Sequence, residues 1–236
     1  MKTIMKTTIL GLTFSFLASV ALAVDSTQLD NRIRILTDKF EAFQHREDGG
    51  IPSEALRKAQ GIILLDTTNG GLVFGYQGGN GVAMVKDAET KRWSPVAFLK
   101  ANEASFGAQI GGEKNFYIIL LMTSNSTWRL IDPKVELGAG AGGTAGDTSG
   151  GVGTRTPSES EILIYKDRTG LFGGAVVKAG SISADDEDNR LYYGPDFSIR
   201  SILFDHKVQP SAAASTLASK IHAYAHKQDS SESTKN

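Results

Sequence analysis

The sequence predicts one α+β domain: a mainly antiparallel, strongly bent or barrel-like β body with helices at both ends. Three observations carry this. Most of the 26 glycines are interleaved with Val, Ile, Phe and Tyr, a pattern of strands and tight turns rather than of linker. Apolar residues recur at helical spacing near both ends of the chain. A hydrophobic content of 40% over 236 residues is enough for one good-sized core.

The first residues stand outside that domain. Lys2 and Lys6 form a short basic region, Thr8 to Leu22 is apolar, and Ala21-Leu22-Ala23 is a small-x-small cleavage site. This is the pattern of a secretory signal peptide cut after Ala23. The apolar run, about 15 residues, falls short of the roughly 20 needed to span a bilayer. The expected organisation is a signal peptide over 1–23, one domain over 24–226 and a disordered polar tail over 227–236. The expected location is periplasmic or extracellular, with a peripheral membrane contact.

The elements follow in order. Leu29, Ile33, Leu36, Phe40 and Phe43 form one face of a helix over Gln28 to Glu47, ended by Asp48-Gly49-Gly50. That stripe either packs on the core or lies on a membrane. Ser53 is placed to cap a second, short helix, and Gly61 to stop it. From Ile62 the pattern turns to strands. Asn69-Gly70-Gly71 reads as a turn, and so does Gly78-Gly79-Asn80-Gly81, between strands Leu72–Gln77 and Val82–Lys86. Pro95 makes Trp93 to Leu99 an edge strand or a loop. Strands Ala104–Ile110 and Phe116–Met122 flank an expected turn at Gly111-Gly112-Glu113-Lys114. Ser124 to Ile131 is a candidate short helix. Strands Ile162–Tyr165 and Leu171–Ile182 flank a turn at Asp167-Arg168-Thr169-Gly170. Asp185 to Asp188 is an acidic turn or helix start. Short and long helices follow at Ser198–Phe204 and Ala212–Ala225. The stretch GAGAGGTAGDTSGGVG, 138–153, reads as a loop near a binding surface or as a tightly packed strand pair.

Composition and motifs exclude several functions. The net charge is −1, and signal cleavage would remove two of the basic residues, so no basic field holds a nucleic acid. Without cysteine there is no disulfide, no lipid-bearing cysteine, no thiol nucleophile and no cysteine-ligated metal. Gly79-Asn80-Gly81 begins a dinucleotide fingerprint, but Met84 takes its last glycine position and Val82 to Lys86 has strand character. Gly138, Gly140 and Gly143 match G-x-G-x-x-G without a helix to follow. Nucleotide binding is therefore not expected. His222 and His226 lie one turn apart but lack the metalloprotease glutamate and a third ligand, so they read as exposed helix histidines, with no metal or cofactor expected. No G-x-S-x-G elbow and no paired catalytic carboxylates stand out. Asn125-Ser126-Thr127 is a glycosylation sequon whose use depends on the secretory pathway.

A run of short motifs resembles the SYLF domain family. Ile51-Pro52 with Leu56, Ala59 and Gly61-Ile62 resembles its opening. Gly70-Gly71, Phe74-Gly75, Gly78 and Gly81-Val82 resemble its glycine hairpin. Trp93-Ser94-Pro95, then Ser105 to Gly111 with Phe106, Gln109 and Gly111, resemble its central motifs. Gly170-Leu171-Phe172-Gly173-Gly174 and the closing Asn189, Tyr192, Tyr193 and Gly194 complete the order. The resemblance covers about Ile51 to Gly194.

The resemblance implies a non-enzymatic binding domain. Eukaryotic members bind phosphoinositide membranes, fungal members bind and bundle actin, and bacterial members are often exported. This chain departs from the eukaryotic pattern in its signal peptide, in having no SH3 or FYVE partner domain, and in its glycine stretch. The expected function is binding of anionic phospholipid in the cell envelope, with Arg32, Lys39, Arg57 and Lys58 as phosphate contacts. The alternative is a structural or protein-interaction module with an envelope partner. An enzyme would need polar groups converging in a pocket, and Tyr165, Asn189, Tyr192 and Tyr193 are the polar residues that could serve it.

Overall fold

The computed structural model describes residues 26–46, 50–71, 74–106, 110–131, 161–173 and 181–227. Helix α1 spans 26–44. It is followed by α2 (Ser53–Lys58), β1 (Gly61–Gly71), β2 (Phe74–Val85), β3 (Ala97–Phe106), β4 (Ile110–Leu121) and α3 (Ser124–Trp128), which runs on into a 3-10 turn (Arg129–Ile131). Then come β5 (Ile162–Gly173), β6 (Ser181–Ala184), α4 (Asp186–Tyr193), α5 (Ile199–Leu203) and α6 (Ala212–Ala225). The strands form one antiparallel sheet in the order β5-β4-β1-β2-β3-β6. β5 and β6 lie at its opposite edges, so the sheet is open and the α+β class holds without a closed barrel.

The sheet is covered on both faces, because its strands alternate between two apolar sets. Ile62, Leu64, Val82, Met84, Phe98, Ile118, Leu120 and Leu163 face α1, α2 and α6. Ile63, Leu65, Ala83, Val85, Leu99, Ile119, Leu121 and Ile162 face the 3-10 turn and α5 through Leu130, Ile199, Ile202 and Leu203. The α1 stripe of Leu29, Ile33, Leu36, Phe40 and Phe43 is buried throughout, so this helix docks on the sheet.

Four of the predicted turns lie within strands. Asn69-Gly70-Gly71 pairs with Gln77, Tyr76 and Gly75 inside β1. Gly78 to Gly81 lies within β2, paired on one side with Thr68 to Leu65 and on the other with Asn102 to Leu99. Asp167 to Gly170 lies within β5, and Gly111 to Lys114 lies within β4. Glycine here serves close approach rather than reversal. A Cβ on Gly79 would stand 2.5 Å from the Asp66 carbonyl oxygen, and one on Gly81 would stand 2.6 Å from that of Leu64.

Smaller corrections concern the caps. The N-cap of α2 is Pro52 and no side chain caps it. Ser53 instead donates its hydroxyl to the Lys227 carbonyl at 3.2 Å. Gly61 opens β1 rather than stopping α2, which ends at Lys58. Of the two readings of the acidic stretch, the helix start is the one observed: Asp185 caps α4, accepting from the Asp188 N–H. Ser198 and Ser211 cap α5 and α6, and Thr123 with Ser126 forms a capping box on α3. Ser126 of the sequon is thereby buried. The signal-peptide segment, the 138–153 stretch, Gln109 and the tail beyond 227 lie outside the described residues.

Candidate functional site

The motif residues meet only through the sheet. Phe172, Gly111, Gly71, Gly75 and Ser105 are successive register partners across β5, β4, β1, β2 and β3. Motifs spread from Gly71 to Phe172 along the chain thus form one transverse row. Trp93 bridges Lys86, whose ammonium sits 4.9 Å above the indole. Ser94 accepts from the Val85 N–H at 3.0 Å and donates to the Pro95 carbonyl at 2.8 Å, holding that crossing.

The closing motif is a clamp. Asn189 is buried on α4 and accepts from the Phe98 N–H through Oδ1 at 2.8 Å. Its Nδ2 donates to the Phe98 carbonyl at 3.0 Å. An amide side chain thus replaces the peptide of a missing neighbour strand. Tyr193 donates its hydroxyl to the Val96 carbonyl at 2.6 Å. Tyr192 donates to Asp30 of α1, which also accepts from the α6 cap Ser211 at 3.1 Å. Burial pushes the Tyr165 phenol up. Burial first, then the Asp30 hydrogen bond, pushes Tyr192 up to about 12. Burial carries Tyr193 above the usual tyrosine range as well. All three stay protonated near neutral pH, unlike acids or bases poised for catalysis.

The four predicted phosphate contacts fall into two separate sets. On α1, Arg32 lies 2.5 Å from Asp188, its guanidinium 5.6 Å from the Phe98 ring centroid. Lys39 lies 2.5 Å from Asp66 on β1. On α2, Lys58 pairs with Glu54 at 2.6 Å, while Arg57 reaches the Ala225 carbonyl at 3.5 Å. Glu41 is taken by Lys220 of α6 at 2.7 Å. Three of the four cations are therefore neutralised by carboxylates.

Two features were not legible in the sequence. One is an open cleft of about 680 Å³ between the first half of α1 and the sheet. Asn31, Arg32 and Ile35 line it from the helix, and Asp66, Asn80 and Lys100 from the strands, with Asp185 at one side. The Lys100 ammonium has no ion pair or hydrogen bond among the described residues. The other is an aromatic surface on the opposite side of the sheet. Trp128 is 43% exposed and stacks on Phe204 with ring centroids 4.4 Å apart and planes 8° from parallel. The Arg200 guanidinium lies 5.4 Å from the Trp128 centroid. Trp128 and Ile35 are the exposed large hydrophobic residues of the described chain. Their side-chain exposure depends on packing between α3, α5 and α1, which no local spacing encodes.

The fold and these surfaces define a helix-covered antiparallel-sheet domain whose marked polar residues hold structure and whose exposed groups suit binding. A family model described as Ysc84, the Las17-binding protein actin regulator, matches residues 102–224. The chain belongs to this family, in agreement with the SYLF resemblance. It is 26% identical over 173 residues to Protein YSC84 of Saccharomyces cerevisiae, covering 70% of this chain and 36% of that protein. It is 26% identical over 184 residues to LAS seventeen-binding protein 3 of Saccharomyces cerevisiae, covering 72% and 38%. It is 27% identical over 171 residues to SH3 domain-containing YSC84-like protein 1 of Xenopus laevis, covering 69% and 50%. The chain thus spans half or less of the length of these curated relatives. No solved structure matches it.

Proposed function

We propose that this protein is a non-enzymatic binding module that docks a protein partner on the Trp128–Phe204–Arg200 surface. Family membership supports the protein-binding class, since one relative is named for binding Las17. The observation that carries the docking surface is the exposed, stacked Trp128 beside Arg200. Exposed Trp with Arg is the composition of interface hot spots, and burying it on a partner recovers apolar area now facing water. Arg200 also pairs with Asp205 at 3.6 Å, so the surface offers an apolar centre edged by a charge pair, and the complementary partner segment is apolar at its centre.

A photocrosslinker at Trp128, compared with one at exposed Thr216 on α6, tests this in the cells that make the protein. The expected result is one partner captured from position 128 and lost on Arg200→Glu. With that partner purified, Trp128→Ala should weaken binding about 30-fold, or about 2 kcal/mol. Equal capture from both positions would remove the surface from consideration.

A second reading, contact with anionic phospholipid, is favoured by the cleft. Lys100 offers a cation without a direct ion pair there, across from Asp185, and Ile35, 45% exposed, offers an apolar side chain at the same opening. Co-sedimentation of the natively processed protein with anionic against zwitterionic vesicles, at low and moderate salt, checks it. Salt-sensitive binding to anionic vesicles should disappear with Lys100→Glu. Loss on Arg57→Glu with Lys58→Glu, but not on Lys100→Glu, would shift the contact to α2. Sedimentation with neither vesicle ends the lipid reading. No helix among the described residues is long and apolar enough to cross a membrane.

Export by the amino-terminal signal peptide completes the proposal. The intact mass of the protein purified from its source should begin at Val24. A mass beginning at Met1 would overturn export with cleavage.

A further inference from the structure

We propose that His222 and His226 form a two-imidazole site for a divalent transition metal, with Cu(II) favoured. Both are exposed at the carboxyl end of α6, four residues apart and so on one helix face. Their ring centroids lie 4.1 Å apart with planes inclined by 34°. That spacing allows one nitrogen of each ring to reach a common ion.

The proton arrangement suits a ligand. His226 Nδ1 lies 2.9 Å from the His222 carbonyl oxygen. A carbonyl only accepts, so Nδ1 carries the hydrogen and Nε2 of the neutral ring keeps its lone pair outward. Anchoring the second nitrogen on a backbone carbonyl is how proteins orient metal-binding histidines. Neither imidazole has an acidic partner among the described residues. The negative end of the α6 dipole also favours a cation here. Arg57, 3.5 Å from the Ala225 carbonyl, and Lys227, 6.0 Å from the Tyr224 ring centroid, lie at the same end and keep their charge, which restrains the affinity.

The donor count selects the metal. No group of three or more His, Cys, Asp or Glu among the described residues encloses a metal ion. A structural zinc site needs about four protein ligands. Two neighbouring imidazoles with open positions instead suit the tetragonal preference of Cu(II), which also heads the affinity order for nitrogen sites. Ni(II) and Zn(II) follow more weakly. The remaining positions belong to water, so the site is open and exchangeable.

The test is a Cu(II) titration of the natively processed protein, followed by visible absorption and electron paramagnetic resonance. One saturable equivalent with nitrogen hyperfine coupling is expected, together with a rise in unfolding temperature. His222→Gln and His226→Gln should each abolish that equivalent and the temperature rise, with the circular dichroism spectrum unchanged. His45→Gln with His206→Gln should keep both. A copper equivalent that survives in His222→Gln or His226→Gln, or the lack of any saturable equivalent in the unaltered protein, overturns the proposal.

Discussion

An Asn189→Leu protein will unfold about 6–12 °C below the parent. Leucine conserves the volume, so the change isolates the hydrogen bonds. The Phe98 N–H loses its acceptor inside the core. The Phe98 carbonyl loses the Nδ2 donor but keeps the Asp185 N–H at 2.9 Å. One orphaned buried donor and one weakened acceptor cost about 3 kcal/mol. For a domain of this size each kcal/mol shifts the melting temperature by roughly 2–4 °C. Asn189→Asp should do no better near neutral pH, because its carboxylate turns an acceptor on the Phe98 carbonyl and buries a charge. Thermal melts of the three proteins decide this. A Leu variant that melts within about 2 °C of the parent would mean the clamp does not hold β3.

Phe40→Ala should cost about 3–5 kcal/mol, the usual range for removing a buried phenylalanine side chain. Phe40 is fully buried beneath α1 and meets the Tyr224 ring of α6 edge-on, with centroids 5.8 Å apart. The loss would appear in denaturant melts without any lipid present. That separates two roles for the same amphipathic stripe. A helix that only rests on membranes would lose vesicle binding on this change and keep its stability in solution. Unchanged unfolding in buffer would therefore contradict the docked α1.

Much of the helical framework was legible. The helix Ala212–Ala225 has its predicted bounds, because the helical spacing of Leu217, Ile221 and Tyr224 is a local signal. The α1 stripe was legible as a stripe, while its partner was not. The glycine quartets misled for a physical reason. Asn-Gly and Gly-Gly pairs suit turns because glycine accepts positive φ. They suit equally a strand whose neighbour comes so close that a Cβ would strike its carbonyl, as at Gly79 and Gly81. Only the register distinguishes the two uses. Strands β1 to β5 consequently run 10–12 residues, about twice the common length.

The candidate surfaces show the same division. Arg32 and Lys39 were visible as helix cations, but not the Asp188 and Asp66 carboxylates that neutralise them, which come from positions 156 and 27 residues away. Lys100, a single lysine in a strand, carried no motif, and its lack of a partner emerges only where α1 crosses the sheet. Trp128 carried no periodicity, and its stack on Phe204 joins two elements distant in sequence.

By itself the amino-acid sequence determined the α+β class, the absence of cysteine chemistry, the terminal helices and the ordered motifs that mark the family. These depend on composition and on contacts within a few residues. The tertiary structure alone decided which glycines turn and which pair, which cations lack a direct ion pair, and how Asn189 completes a strand edge at Phe98. Those outcomes rest on groups brought together across the sheet, where distance in space is set by register and packing rather than by spacing along the chain.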